Sequence, residues 1–209
     1  MAKGIYIGAE SKARKVKKLY VGVDGKARKV KKAYIGVNGV AKLFYSAETL
    51  VPFTTCPYSD VINEMPTNEY GTWQISAWSK YNDDYQAYKA FDEDTSTYWR
   101  SAELLSSSAS SYVQLFFPTG VLIKPTTVKV VCRKFVRCFV RGYNPETGAW
   151  EEIGEATSLA SSFTTTNLTY SGDTYFSAIQ AYGLRYSSSY NTPEVADLKI
   201  TSGTIKIEG

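Results

Sequence analysis

The stretch Tyr88–Ser101, YKAFDEDTSTYWRS, sets three large rings, Phe91, Tyr98 and Trp99, around the oxygen-rich run Asp92, Asp94, Thr95, Ser96 and Thr97. The rings need a core and the residues between them form turns, so the segment reads as a loop pinned at both ends to a domain interior. Asp92 and Asp94 are two apart and Thr97 follows three later. That spacing permits two carboxylates, a hydroxyl and nearby carbonyls to face one hard cation, and calcium takes about six to eight oxygens at roughly 2.3–2.6 Å. It equally permits the aspartates to cap the turn by accepting backbone N–H bonds. Spacing leaves both open.

Downstream, short β-rich runs alternate with Ser, Thr, Gly and Asn turns: VQLFF (113–117), TVKVVCRKF (127–135), RCFVRGY (137–143), YFSAIQAYGLRY (175–186) and DLKI (197–200). Together they predict an all-β sandwich. The serine-rich patches LLSSSASS (104–111) and SLASSFTTTN (158–167) read as loops.

KAFDEDTSTYW (Lys89–Trp99) resembles the first core motif of discoidin-type domains. These are galactose-binding-like, jelly-roll β-sandwiches that include coagulation-factor C-type domains and many bacterial carbohydrate-binding modules. The resemblance runs from about Val51 onward through YGT (70–72), SYVQLFF (111–117), TTVKVVCRKFVRCFVRGY (126–143), PETGAW (145–150), TYFSAIQAYGLRY (174–186) and EVADLKI (194–200). It implies a structural calcium ion held by the Lys89 carbonyl, Asp92, Asp94, Thr97, the Ala196 carbonyl and Asp197. Glu93 stands where that family usually has Gly, and Asp197 where it usually has Glu. Trp99 and Trp150 match family core positions.

A sugar site on such a sandwich needs a flat ring and a few fixed polar groups. The candidates are Trp73, Trp78, Tyr81, Tyr85, Arg133, Arg137, Tyr143, Arg185 and Tyr190, and AWSKYNDDYQ (77–86) is the expected aromatic platform. No histidine occurs in the 209 residues, which removes the usual general base and the Ser-His and Cys-His dyads. The acid pairs Asp83-Asp84 and Glu151-Glu152 read as solvated turn residues rather than a glycosidase pair, and no enzyme activity is expected. Cys56, Cys132 and Cys138 fit neither a disulfide framework nor a zinc spacing; buried free thiols are the favoured reading of the last two.

The first 47 residues are a different module. YIGAESKARKVKKL (6–19), YVGVDGKARKVKKA (20–33) and YIGVNGVAKLFYSA (34–47) align without gaps, a 14-residue repeat. Asp24-Gly25 and Asn38-Gly39 are two-residue hairpin turns, predicting a small antiparallel meander with strands near 4–9, 13–23, 27–37 and 40–45. Twelve of the chain's 24 Lys and Arg lie between Lys3 and Lys42, against only Glu10 and Asp24. The basic ARKVKK runs read as solvated, edge-protecting faces or as a surface for an acidic protein, in preference to nucleic acid.

KVKKxYxGVxG units resemble segments of phage and prophage virion proteins from Gram-positive hosts, on tail, baseplate or head appendages, and these imply attachment to other virion proteins. SAETLVPFTTCP (46–57) reads as the joint, dividing a basic repeat module, 1–47, from a discoidin-like sandwich, 48–209. No apolar run approaches the roughly 18 residues of a membrane span, and MAKGIYIG lacks the apolar core of a signal peptide. The expectation is a virion structural protein, assembled in the bacterial cytoplasm, present in many copies or as a homo-oligomer, and displaying a sandwich that binds a host-surface glycan. A decoration protein without sugar binding and a nucleic-acid binder are the alternatives.

Overall fold

The computed structural model describes residues 6–9, 12–15, 19–30, 32–37, 40–46, 49–58, 61–103, 110–156, 161–185 and 192–207. By internal contacts the chain divides into two compact units, residues 1–50 with 207–209 and residues 51–206. No helix among the described residues is long and apolar enough to cross a membrane.

The first unit holds three antiparallel hairpins, one per repeat: β1 (Tyr6–Ala9) with β2 (Lys12–Lys15), β3 (Tyr20–Val23) with β4 (Lys26–Lys29), and β5 (Lys32–Val37) with β6 (Val40–Ser46). The long strands expected over 13–23 and 27–37 are therefore divided, each hairpin forming its own two-stranded sheet. Asp24 and Gly25 take φ of 53° and 71°, the left-handed pair that a two-residue hairpin turn requires. Asn38-Gly39 lies outside the described residues. All four residues of β3 are exposed, Tyr20 and Val21 among them.

The second unit is the sandwich. Its strands are β7 (Thr49–Phe53), β8 (Thr67–Asn68), β9 (Gly71–Thr72), β10 (Gln74–Ala77), β11 (Trp99–Arg100), β12 (Ser110–Phe116), β13 (Val121–Arg133), β14 (Phe135–Asn144), β15 (Ala149–Ala156), β16 (Thr164–Thr169), β17 (Ala178–Arg185) and β18 (Glu194–Ile207). One sheet runs β10-β12-β17-β14-β15; the other runs β11-β18-β13-β16, with β7 paired to β18. The pairs β10–β12, β12–β17, β17–β14, β14–β15, β11–β18 and β13–β16 are antiparallel.

Period-two alternation decides which side chains enter the core. Along β12 the odd residues Ser111, Val113 and Leu115 are buried, while Tyr112, Gln114 and Phe116 face outward and are half-buried. Ile179 and Ala181 on β17 and Val140 on β14 join the inner layer, against Val128, Val130, Leu198 and Ile200 from the other sheet. The chain changes sheet between β13 and β14 through Lys134 alone, at φ 63°. Cys132 and Cys138, on either side of this corner, form no disulfide and are fully buried. Hydrogen bonding to Cys132, then burial, pushes the Cys138 thiol up.

The aromatic motif is pinned as its composition requires. A 3-10 turn at Ala87–Ala90 leads into Phe91, and both Phe91 and Trp99 are fully buried. Trp99 donates its indole N–H to the Ser79 carbonyl at 2.8 Å and sits opposite Val195 on β18. Tyr98 is the exception: it stays half-buried, its ring 5.1 Å from Tyr85 and 5.3 Å from Phe163. Replacing Trp99 with Ala is expected to cost about 3–5 kcal/mol in chemical denaturation. Trp78→Ala, at a side chain 52% exposed, is expected to stay within about 0.5 kcal/mol of the parent.

Candidate functional site

The outward side chains of the five-stranded sheet form a polar row flanked by rings. Ser76 faces Gln114 across β10–β12, Gln114 faces Gln180 across β12–β17, and Gln180 faces Arg141 across β17–β14. This register makes a one-way chain of hydrogen bonds. Arg141 donates through Nε and Nη2 to Gln180 Oε1 at 3.2 and 2.5 Å, Gln180 Nε2 donates to Gln114 Oε1 at 2.8 Å, and Gln114 Nε2 donates to Ser76 Oγ at 3.0 Å. An arginine carries five N–H donors, so Arg141 retains several beyond those given to Gln180.

Two residues along each strand, on the same face, stand the rings. Tyr112 faces Tyr182 on one side of the polar row, and Tyr143 faces Trp150 on the other, with 5.4 Å between ring centres. The Arg141 guanidinium lies over Tyr182, 3.8 Å from its centre. With Trp78, Ser110 and Phe116 these residues line a shallow cavity of about 570 Å³. Trp150 therefore belongs to the outer face, half-buried, and not to the core position that family resemblance implied.

The other candidates are dispersed. Trp73 is buried at 1% exposure, donates Nε1–H to Asn68 Oδ1 and packs on Tyr58 and Phe117; a core ring cannot serve as a sugar platform. Trp78 and Tyr81 are exposed, and Tyr85 is half-buried with its ring edge against Tyr81. Arg133 is engaged by the buried Glu194, and Arg137 forms a two-pronged pair with Glu155 at 2.9 and 2.6 Å. Arg185 ends β17 opposite Phe135. Tyr190 lies outside the described residues.

A second hollow of about 500 Å³ is lined by Cys56, Tyr58, Asn68, Tyr70 and Trp73. Its central amide is spent on the fold: Asn68 donates to the Pro57 carbonyl and accepts from Tyr70 N and Trp73 Nε1, and burial pushes the Cys56 thiol up to about 12. The acid pairs are similarly engaged. Asp83 binds Lys80, and Glu151 accepts from Asn144, Thr147 and Thr174.

The side chains that the resemblance offered to calcium do not converge as a cage. Asp92 accepts from Asp94 N at 3.0 Å and from the Thr97 hydroxyl at 2.6 Å, while the exposed Asp94 carboxylate turns onto Ser96 N and Oγ. These are the turn-capping bonds of the simpler reading. Lys89 and Ala196 lie at the 3-10 turn and in β18. Asp197 is fully buried, and its Oδ2 stands 2.5 Å from the Lys129 ammonium. No hydrogen bond of proper geometry reaches either Asp197 oxygen, but the ion pair neutralises its charge. Burial raises the Asp197 carboxyl and Lys129 lowers it, the former prevailing.

Glu93, at φ 64°, adopts the left-handed conformation that explains a glycine preference there, and pairs with Lys199 at 2.7 Å. Both departures from the family pattern thus meet a lysine, and a calcium ion at Asp197 would sit against an ammonium. In this arrangement Lys129 occupies the side of Asp197 that such an ion would take. The melting temperature is accordingly expected to be the same in calcium and in chelator, whereas Lys129→Met, which strands a buried carboxylate, is expected to cost roughly 3 kcal/mol.

No family model matches the chain and no curated protein matches it. Among solved structures, it is similar to the C-terminal domain of a Bacteroides fragilis chitobiase (13% identity, TM-score 0.49, covering 68% of this chain and 98% of that one). It is also similar to the family 62 carbohydrate-binding module of Clostridium thermocellum Xyl5A (22%, TM-score 0.46, 60% and 90%). A third neighbour is the family 32 module of C. perfringens NanJ, solved with galactose (13%, TM-score 0.47, 63% and 93%). At these identities and scores the likeness says nothing of what this chain binds.

Proposed function

We propose that this chain is a glycan-binding virion protein of a phage, without catalytic activity, whose sandwich holds a host-surface polysaccharide on the outer face of β10-β12-β17-β14-β15. The observation that carries the reading is the polar row Ser76-Gln114-Gln180-Arg141 lying between two rows of rings. A pyranose presents a C–H face that packs flat on an aromatic ring and an edge of hydroxyls that both donate and accept. Here the rings Tyr112, Tyr182, Tyr143 and Trp150 supply the first, and the Gln114 amide and the spare Arg141 donors, held in place by the buried Gln180, supply the second. Because each member of the row is held by its neighbour across the sheet, little rotamer freedom is left to lose on binding.

The basic hairpin unit is the attachment module in this proposal, joining other virion proteins. The exposed Tyr20, Val21 and Tyr34 support that role, since apolar side chains on thin two-stranded sheets gain by being covered. Many copies on one particle let weak individual sites act together.

The test is affinity electrophoresis and calorimetry with wall polysaccharides of Gram-positive cells. Trp150→Ala and Tyr182→Ala are each expected to weaken binding by about tenfold or more, from the loss of apolar ring surface worth about 1.5–3 kcal/mol when covered, with unchanged folding. Full binding by the double variant would refute the site.

A further inference from the structure

At the edge of the other sheet one buried carboxylate is shared by three cations. Glu194 is fully buried; Lys134 Nζ donates to its Oε1 at 2.6 Å, Arg133 Nε to its Oε2, and Arg100 Nε lies 3.6 Å from Oε1. The fold forces the meeting. Arg100 is the register partner of Glu194 across β11–β18, and Arg133 and Lys134 form the corner at which the chain changes sheet. A carboxylate neutralises one of three such charges, and the three side chains keep 24%, 22% and 17% of their surface in solvent.

The guanidiniums are also aimed. The Arg100 guanidinium lies over Tyr81, 3.9 Å from the ring centre, and that of Arg133 over Phe163 at 4.2 Å. Stacking of this kind fixes the plane of the fork and leaves its edge for a planar or tetrahedral anion. Among the described residues, Arg100 spends Nε on Thr192 Oγ1 and its terminal nitrogens have no partner, and Arg133 spends Nη1 on the Ser161 carbonyl and has no partner for Nη2. Tyr81 itself is 49% exposed, a ring beside the charge.

From this we infer a second binding site, distinct from the sheet face, that takes an anionic group of a glycan, a carboxylate or a phosphate, between Arg100 and Arg133. A network serving only the fold would not need three cations for one carboxylate, nor stack two of them on rings with donors left over. Glu194 holds the pair apart and in place, as a positioning residue that does not meet the ligand.

The experiment is calorimetry on the full chain with trigalacturonate, its neutral methyl ester, poly(glycerol phosphate) and a single-stranded oligonucleotide. At least one anionic glycan probe is expected to bind, and the pair of carboxylate and phosphate probes identifies the source of the anion. Binding is expected to weaken about tenfold in Arg100→Gln, the loss of charge-assisted hydrogen bonds, and to fall with added salt. The ester should bind about tenfold less well than the acid by the same reasoning, and Trp150→Ala should leave this binding intact, which separates it from the sheet-face site. If Arg100→Gln loses its fold, Tyr81→Ala, which leaves the Glu194 contacts in place, carries the test. Equal binding of acid and ester, no binding of either anionic glycan probe, preference for the oligonucleotide, or loss of all binding in Trp150→Ala would each overturn the inference.

Discussion

A strand in a sandwich can bury only every second side chain, and that constraint organises this molecule. On β12, β17 and β14 the inner set is aliphatic and tightly packed, with Val113, Leu115, Ile179, Ala181 and Val140 essentially without solvent exposure. The same backbone then has to present Tyr112, Gln114, Gln180, Tyr182, Arg141 and Tyr143 on the other side. The proposed binding face is a consequence of the register that closes the core. A one-residue slip would send the glutamines inward, unpaired, and the aliphatic set outward, so core and site are specified together.

Much of this was legible in the sequence. The pinned rings Phe91 and Trp99, the Asp24-Gly25 turn and the alternation of SYVQLFF each carry a local signal with one physical reading, and the sandwich follows from them. The site was less legible, because it is a property of pairing between strands. Nothing local says that Gln114, Arg141 and Gln180, the first and last of them 66 residues apart, stand side by side. The polar residues interrupting apolar strands were the available signal: a Gln in VQLFF and another in AIQAY have to face away from the core or be bonded, and here both hold.

Tryptophan shows the same limit. Trp73 and Trp150 look alike in sequence, each in a β-rich run, yet one is a core ring and the other lines the outer cavity. Charge was equally opaque. Lys129 and Lys199 read as ordinary strand lysines until Asp197 and Glu93 are placed beside them, while Asp92 and Asp94 of the aromatic motif take N–H and hydroxyl donors of their own turn.

The four tryptophans provide the most direct test of the central claim, that polysaccharide lies on the outer sheet face. Their indole N–H resonances, assigned by substitution and followed while a soluble Gram-positive wall polysaccharide fragment is titrated in, report separately on core and face. The account predicts that the Trp150 and Trp78 signals shift with saturation while those of Trp73 and Trp99 stay fixed. Saturable binding with Trp150 and Trp78 unmoved would contradict it.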